Sequence, residues 1–289
     1  MYAISGVTGQ VGGATIAALL QQGHKVRAVM RDAARAQALE AQGAEIAVAD
    51  LADAQSLTRA FEGVEGAYVM IPPDFAPAEG YPLARKVAGA LTAALTAARV
   101  PKVVALSSVG AQRDSGLGLI TQVHLLEQAL AALPATTASA MLRPAWFMEN
   151  SAWDIAPARD NGEMPAFLAP LDRPYPMVAT ADIGAVAART LAQHWSGRRV
   201  IEIEGPRRYS QNDIAVLLGK ALGREVRAKA VPREQWQALF QSQGTAWPAP
   251  RMEMLDGFNS GWIDFEPGKH EHVTGTTPYE TVLAQLARR

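Results

Sequence analysis

Three glycines, Gly6, Gly9 and Gly12, punctuate the segment Gly6-Val7-Thr8-Gly9-Gln10-Val11-Gly12 near the start of the chain. Glycine lets a backbone turn sharply out of a strand, approach a pyrophosphate with no Cβ in the way, and bring the next helix close to the sheet. The free N–H groups and positive dipole end of that helix then point at the phosphates. The spacing is Gly-x-x-Gly-x-x-Gly, which differs from the commonest dinucleotide fingerprint, but the setting is the expected one. Tyr2 to Ser5 reads as a strand, Ile16, Leu19 and Leu20 mark a helix, and His24-Lys25-Val26-Arg27-Ala28-Val29-Met30 reads as a second strand. A turn alone needs one glycine at most. Gly6, Thr8, Gly9, Gln10, Val11 and Gly12 are therefore expected to clamp a dinucleotide.

Arg31 stands at the end of the second strand, where an acidic side chain would bind the ribose hydroxyls in an NAD site. A guanidinium clasps a 2′-phosphate bidentately, so NADP(H) is the expected cofactor, with Arg27 and Arg35 as helpers and Asp32 as a competing acidic neighbour. The fourth strand ends in Val69-Met70-Ile71-Pro72-Pro73, apolar and short of donors, so Ile71 and Pro72 suit lying along a cofactor. Ser107-Ser108 end the fifth strand, beside the nicotinamide in a doubly wound sheet. Trp146, Phe147, Met148 and Trp153 follow the sixth and offer a flat apolar wall for an aromatic ring. Both groups have plainer readings, because Ser is an ordinary turn former and aromatics after a strand often fill a core. His270 and His272 lack a third ligand nearby, and Lys269 and Glu271 beside them suggest a solvated segment, so no metal site is expected.

These residues need elements to position them. Strand-like runs at Tyr2 to Ser5, Lys25 to Met30, Glu45 to Val48, Gly66 to Ile71, Lys102 to Leu106 and Ala138 to Leu142 alternate with helical patterns, one carrying Leu83, Val87, Leu91 and Leu95 on a single stripe. That alternation predicts an α/β fold, a doubly wound parallel sheet of Rossmann type whose strand carboxyl ends share one ligand-binding edge. After Arg143-Pro144 the alternation stops, and Pro157, Pro165, Pro170, Pro174 and Pro176 follow closely. A helical run from Asp182 to Gln193 and a strand from Arg199 to Glu204 return to the sheet. Residues 1–145, rejoined by 177–204, are expected to form the nucleotide-binding domain, and 146–176 with 205–289 a smaller, discontinuous C-terminal substrate lobe. Asp53 and Ser210 read as helix N-caps and Gly223 as a helix stop. The stretch 248–268, rich in Pro, Gly and aromatics, has no assignable period.

Composition narrows the class. Hydrophobic residues at 49% and charged residues at 19% describe a globular chain, and a net charge of -1 without charged blocks argues against nucleic acid or an anionic membrane as partner. The absence of cysteine excludes disulfides, thiolate metal ligands and a cysteine nucleophile. No apolar stretch approaches membrane-spanning length, and Met1 runs directly into the first strand with no room for an export signal. A cytoplasmic protein is expected, and a homodimer is compatible with the sequence.

Four stretches resemble the NmrA-like family, atypical members of the short-chain dehydrogenase/reductase superfamily. They are Ser5-Gly6-Val7-Thr8-Gly9-Gln10-Val11-Gly12, Val29-Met30-Arg31-Asp32, Leu142-Arg143-Pro144-Ala145-Trp146-Phe147-Met148-Glu149-Asn150 and Ala181-Asp182-Ile183-Gly184. Ala36-Gln37-Ala38-Leu39 adds a likeness to bacterial NADPH-dependent quinone and triphenylmethane dye reductases. The resemblance implies that Asp50 and Leu51 touch adenine, although Asp50 is equally a turn residue, that Ser107 helps orient substrate, and that Asn150 joins Trp146, Phe147 and Trp153 at the substrate. Ordinary members of the superfamily use Tyr-x-x-x-Lys to supply a proton. None of the six tyrosines here has Lys four residues on, and Tyr81 with Arg85 lies in the wrong crossover. In the corresponding helix, Thr121-Gln122-Val123-His124-Leu125-Leu126-Glu127, the family places Lys or His with Glu three residues later. Two roles are open to His124: holding the nicotinamide ribose or passing a proton, and sitting on the helix surface paired with Glu127. Without a dedicated acid, the acceptor should be one that takes hydride and lets solvent protonate the product, such as a quinone or aromatic dye. An NADPH-dependent oxidoreductase acting on a small molecule is thus the expected function. The alternative that the resemblance implies is a non-catalytic NADP(H)-binding redox sensor working through a protein partner.

Overall fold

A computed structural model of the chain describes residues 1–288, the side chain of Arg35 excepted. Six strands, β1 (Tyr2–Ser5), β2 (Val26–Met30), β3 (Glu45–Val48), β4 (Gly66–Val69), β5 (Lys102–Leu106) and β6 (Ala138–Pro144), lie parallel and are joined by helices. Two more, Arg198–Glu204 and Glu271–Thr274, extend them into an eight-stranded sheet in the order Glu271–Thr274, Arg198–Glu204, β6, β5, β4, β1, β2, β3. The chain winds outward in both directions from the β1/β4 pair, as expected of a Rossmann-type sheet, and opens a crevice at the carboxyl ends where the direction reverses.

Strand alternation divides the core in two. Tyr2 and Ile4 of β1 pack on one face with Ile16 and Leu19 of the helix Gln10–Gln21 and Ile183 and Leu191 of the helix Thr180–Ala192. Ala3 turns to the other face, where Leu57, Phe61, Leu91, Leu95 and Leu126 gather from the helices Ala54–Phe61, Pro82–Ala97 and Thr121–Leu130. On the first face the two helices nearly touch, because a Cβ on Gly184 would lie 2.4 Å from the Ala14 Cβ. The expected stripe on Pro82–Ala97 is shifted: Val87, Leu91 and Leu95 are buried, but Leu83 is 48% exposed and Ala84 takes the inward place.

Local capping follows the sequence. Asp53 accepts the Gln55 and Ser56 amides at 3.1 and 3.2 Å. Ser210 and Asp213 form a reciprocal box, Asp213 N donating to Ser210 Oγ at 3.0 Å and Ser210 N to Asp213 Oδ2 at 2.9 Å, and Gly223 ends that helix with φ 69°. Two features of the C-terminal part differ from expectation. Residues 248–268 hold a helix, Ala249–Ser260, whose Pro250 and Gly257 are buried packing positions and not breaks. Residues 205–289 do not all lie in a second lobe, since Glu271–Thr274 pairs in parallel with Arg198–Glu204 at the edge of the main sheet. The strands Glu163–Ala166 and Arg227–Ala230 make a separate two-stranded piece. Among the described residues no helix is long and apolar enough to cross a membrane.

Candidate active site

Backbone sterics build the glycine turn. Gly6 has φ 65°, in the left-handed region that favours glycine, and a Cβ there would press on the Met70 side chain at 3.0 Å. Gly12 lets the helix Gln10–Gln21 come down on the turn, because its Cβ would fall 2.2 Å from the Gly6 carbonyl oxygen and 2.9 Å from that of Ser5. Gly9 is extended at φ -91°, exposed, and meets only the Gly6 oxygen at 3.2 Å. The helical ladder begins with Gly13 N donating to Gly9 O at 2.9 Å, which leaves the amides of Gln10, Val11 and Gly12 for a ligand. An open cradle over Gly9, ringed by amides at a helix start, fits the pyrophosphate of a dinucleotide. The Gln10 side chain turns aside to lie 3.3 Å from Thr180 Oγ1, and Thr8 is exposed.

The end of β2 bears a cation whose acidic neighbour is engaged elsewhere. Arg31 is exposed just past β2, while Asp32 is occupied as a cap, its Oδ1 accepting Ala34 N at 2.9 Å. Arg27 does not assist, a correction to the sequence reading. It lies toward the opposite end of β2 and is committed to Glu45 at 2.6 Å and to the carbonyls of Ala60 and Glu62 at 2.9 Å each. The Arg35 side chain lies outside the described residues. Asp50 makes a turn, accepting Ala52 N at 2.9 Å, with Leu51 half-buried beside it. Past β4, Ile71 is buried and Pro72 partly so.

At the ends of β5 and β6 the His124–Glu127 pair, one of the two readings open for His124, gives way to a larger network. Glu127 takes the buried Arg143 bidentately, Nε at 2.9 Å and Nη2 at 2.7 Å, and also accepts the Ser107 hydroxyl. Arg143 Nη1 lies 3.4 Å from His270 Nε2 and 3.7 Å from Glu266 Oε2. Burial works against the Arg143 charge, yet its hydrogen bonds to Glu127 and the fields of Glu127, Glu266 and Glu202 hold its pKa above the usual value. His270 lies 3.0 Å from Glu266 and the exposed His272 3.0 Å from Glu204, in a segment that is largely solvated. The His124–Glu127 reading gave way because a buried guanidinium needs carboxylates, whichever helix supplies them. His124 instead faces the Ala111 carbonyl at 2.8 Å. A carbonyl only accepts, so His124 Nδ1 carries the hydrogen and Nε2 remains available. Ser107 is buried with its hydroxyl committed, and Ser108 reaches the cavity described next.

That cavity, about 790 Å³, opens over the carboxyl ends of β5 and β6 and is roofed by the C-terminal part of the chain. Trp146, Phe147, Asn150 and Trp153 all line it. Trp146 stacks edge-on against Phe258, centroids 5.3 Å apart, and the exposed Trp153 meets Phe75 at 5.4 Å. Deeper in the wall, Ser151 Oγ lies 2.8 Å from the Tyr279 hydroxyl, and burial pushes the Asp154 carboxyl up to about 7 despite its bond with Ser151. Glu149 ties this wall to the glycine turn. Both its oxygens accept Thr180 N at 3.0 Å, capping the helix that packs on Gln10–Gln21, and burial raises its pKa.

The turn, the basic strand end and the apolar cavity at one sheet edge are accompanied by a match of residues 2–255 to the model of the NmrA-like family. The chain belongs to the NmrA-like family. It is 28% identical over 247 residues to NAD(P)H azoreductase of Xenophilus azovorans, covering 84% of this chain and 82% of that one. It is 29% identical to quinone oxidoreductase 2 of Escherichia coli (strain K12) over 247 residues and the same shares of 84% and 82%. The solved NADPH-dependent quinone oxidoreductase of Escherichia coli complexed with NADPH matches with TM-score 0.79 at 26% identity, over 99% of each chain. Triphenylmethane reductase of Citrobacter sp. complexed with NADP(H) shares the fold, with TM-score 0.78 at 19% identity over 99% of this chain and 100% of that one.

One of the motifs that mark this NmrA-like chain, Ala181-Asp182-Ile183-Gly184, is architectural. Gly184 sets the helix crossing, and Asp182 accepts Thr277 N and Oγ1 at 3.0 and 2.9 Å. Sequence reasoning missed Phe75, Asp154, Arg251 and Phe258 at the cavity. Asp154 directly follows Trp153, so its place after an aromatic wall was a usable signal, whereas Arg251 and Phe258 lie in the stretch that showed no period.

Proposed function

We propose that this NmrA-like protein is an NADPH-dependent oxidoreductase that reduces a flat, electrophilic aromatic acceptor of the quinone or dye type. The observation that carries the reading is the aromatic-lined cavity at the carboxyl edge of the sheet that also bears the glycine turn. A nucleotide sensor needs no second, apolar binding space. The relatives named for azoreductase and quinone oxidoreductase activity support the same chemistry.

When bound, NADPH supplies a hydride. The chain's own residues do the rest. The amides of Gln10, Val11 and Gly12 hold the pyrophosphate across Gly6 and Gly9, Arg31 the 2′-phosphate, and Asp50 and Leu51 border adenine. Ile71 and Pro72 give apolar surface, Ser107 and Ser108 border the reacting ring, and His124 Nε2 accepts a ribose hydroxyl. Trp146, Phe147, Asn150 and Trp153 keep the acceptor flat and dry. A quinone that has taken hydride is a hydroquinone anion, stable enough to draw its proton from water, so the missing Tyr is not required. Purified protein mixed with NADPH and a panel of quinones, azo dyes and activated alkenes tests the reading through loss of the reduced nicotinamide absorbance. Turnover of at least one quinone is expected. Tight NADPH binding without oxidation by any acceptor would leave only the sensor.

Arg31→Glu should weaken NADPH by about 1.5 to 3 kcal/mol, roughly one to two decades in Kd, while NADH changes little, because ribose hydroxyls tolerate a carboxylate and a 2′-phosphate does not. Competition binding with both nucleotides measures it, and an unchanged preference would remove Arg31 from the phosphate site.

His124→Ala should retain quinone reduction with kcat within about tenfold and a higher KM for NADPH. A general acid at this position would instead show a fall in kcat of about two to four decades. Steady-state kinetics at saturating quinone separates the two.

A further inference from the structure

We infer that Arg251 forms an anion subsite in the wall of the cavity, so that the acceptors bound best are aromatic molecules carrying a sulfonate or carboxylate. The inference rests on the reading that the cavity holds an aromatic acceptor, and it adds which kind.

Three observations carry it. Arg251 lines the cavity with its guanidinium 4.0 Å from the Phe240 ring centroid and 5.9 Å from those of Phe167 and Trp153. Among the described residues its one side-chain hydrogen bond is Nη1 to the neutral Gln243 Oε1 at 2.7 Å, in contrast to Arg143, Arg199 and Arg233, each held by a carboxylate at 2.7 to 2.8 Å. A guanidinium carries five N–H donors in a planar fork, so most of the donor capacity of this cavity-lining residue has no acceptor among the described residues. Finally, Arg251 sits in the first turn of the helix Ala249–Ser260, where the dipole disfavours a cation, and that turn holds no acidic side chain to compensate.

The guanidinium is held by ring faces and one amide oxygen and not by a carboxylate, and burial shifts its pKa downward. A planar oxyanion on an aromatic ring answers all of this. The ring lies with Trp153 and Phe167, and two oxygens meet the fork. The carboxyl lining the cavity, that of Asp154, is pushed up to about 7 by burial, so near neutral pH its repulsion of an anion is reduced. By the same electrostatics, cationic triphenylmethane dyes should bind less well than neutral acceptors.

Calorimetry with a redox-inert probe, naphthalene sulfonate, against neutral naphthol tests the subsite without turnover. Wild type should bind the sulfonate at least tenfold more tightly, an advantage that shrinks with added salt. Arg251→Met should lose that preference, about ten- to a hundredfold in sulfonate Kd, with naphthol within about twofold. Arg251→Lys keeps the charge and should keep most of the preference, which guards against poor folding of the Met variant. Equal affinities for the two probes in wild type, or equal losses of both in Arg251→Met and Arg251→Lys, would overturn the inference and leave Arg251 a packing residue on Phe240. In parallel kinetics, naphthoquinone sulfonate should show the lower KM. Sulfonate binding with no quinone reduced would overturn the oxidoreductase reading and not the subsite.

Discussion

Gly9→Val should give a folded protein that no longer binds NADPH, and Gly12→Ala a protein that barely folds. The two glycines belong to one turn but meet different neighbours. At Gly9 the backbone is extended, and the added Cβ faces a single tight contact, 3.2 Å to the Gly6 oxygen. The remainder of a valine projects into the open cradle that the pyrophosphate is proposed to cross. Binding should weaken by at least about a hundredfold, close to 3 kcal/mol, with Tm little changed. At Gly12 the Cβ would overlap the Gly6 oxygen at 2.2 Å and the Gly6 carbonyl carbon at 2.6 Å, both backbone atoms fixed between β1 and its helix. Overpacking of this kind costs about 1 to 3 kcal/mol where side chains can yield, and more is expected here because they cannot. Thermal unfolding and calorimetric titration of both variants check the contrast. Wild-type NADPH affinity in Gly9→Val would mean that the cofactor does not lie across the turn.

The second large effect is expected at Arg143. Arg143→Met should destabilise the fold by about 3 to 5 kcal/mol, because it strands the Glu127 carboxylate against Ser107 with no cation. The double variant Arg143→Met, Glu127→Leu should recover much of that loss, since replacing both partners of a buried pair with apolar groups is often neutral. Urea unfolding of the two single variants and the double completes the cycle. A loss under about 1 kcal/mol in Arg143→Met would mean that the pair behaves as an exposed one.

The parts of the molecule legible in its sequence are those fixed by near neighbours. The glycine turn, the Asp53 cap and the Ser210–Asp213 box each close within a few residues, so residue type and spacing state the geometry. The doubly wound sheet was legible because buried parallel strands are short apolar runs between helices. What failed to show was set by distant partners. Glu127 stands three residues from His124, a spacing that invites a pair, yet the buried guanidinium sixteen positions away in sequence takes both its oxygens. Glu271–Thr274 was hidden because an edge strand is solvated along much of its length, and its charged residues read as loop. Pro250 and Gly257 masked the helix Ala249–Ser260, since Gly257 is there to admit Ile263, whose Cδ1 would lie 2.6 Å from an added Cβ. Arg251 was lost with that helix.

The last strand of the sheet bears on how molecules enter. The roof of the cavity leaves the main sheet after Arg198–Glu204 and comes back in the adjacent, hydrogen-bonded strand Glu271–Thr274, so it is tethered at both ends to neighbouring rungs of one ladder. Gly205 N donates to Met177 O at 2.6 Å and Gly275 N to Glu204 O at 2.7 Å, while Asp182 fastens Thr277 just beyond. A jaw needs slack at its pivot, and here the pivot is sheet. Swinging the roof away would tear these bonds, whereas turning the exposed Phe75–Trp153 pair at the rim needs only side-chain rotation. For an acceptor of the kind proposed, exchange through this rim calls for rotating side chains, on the fast end of protein motion, and for no break in the tethering strands.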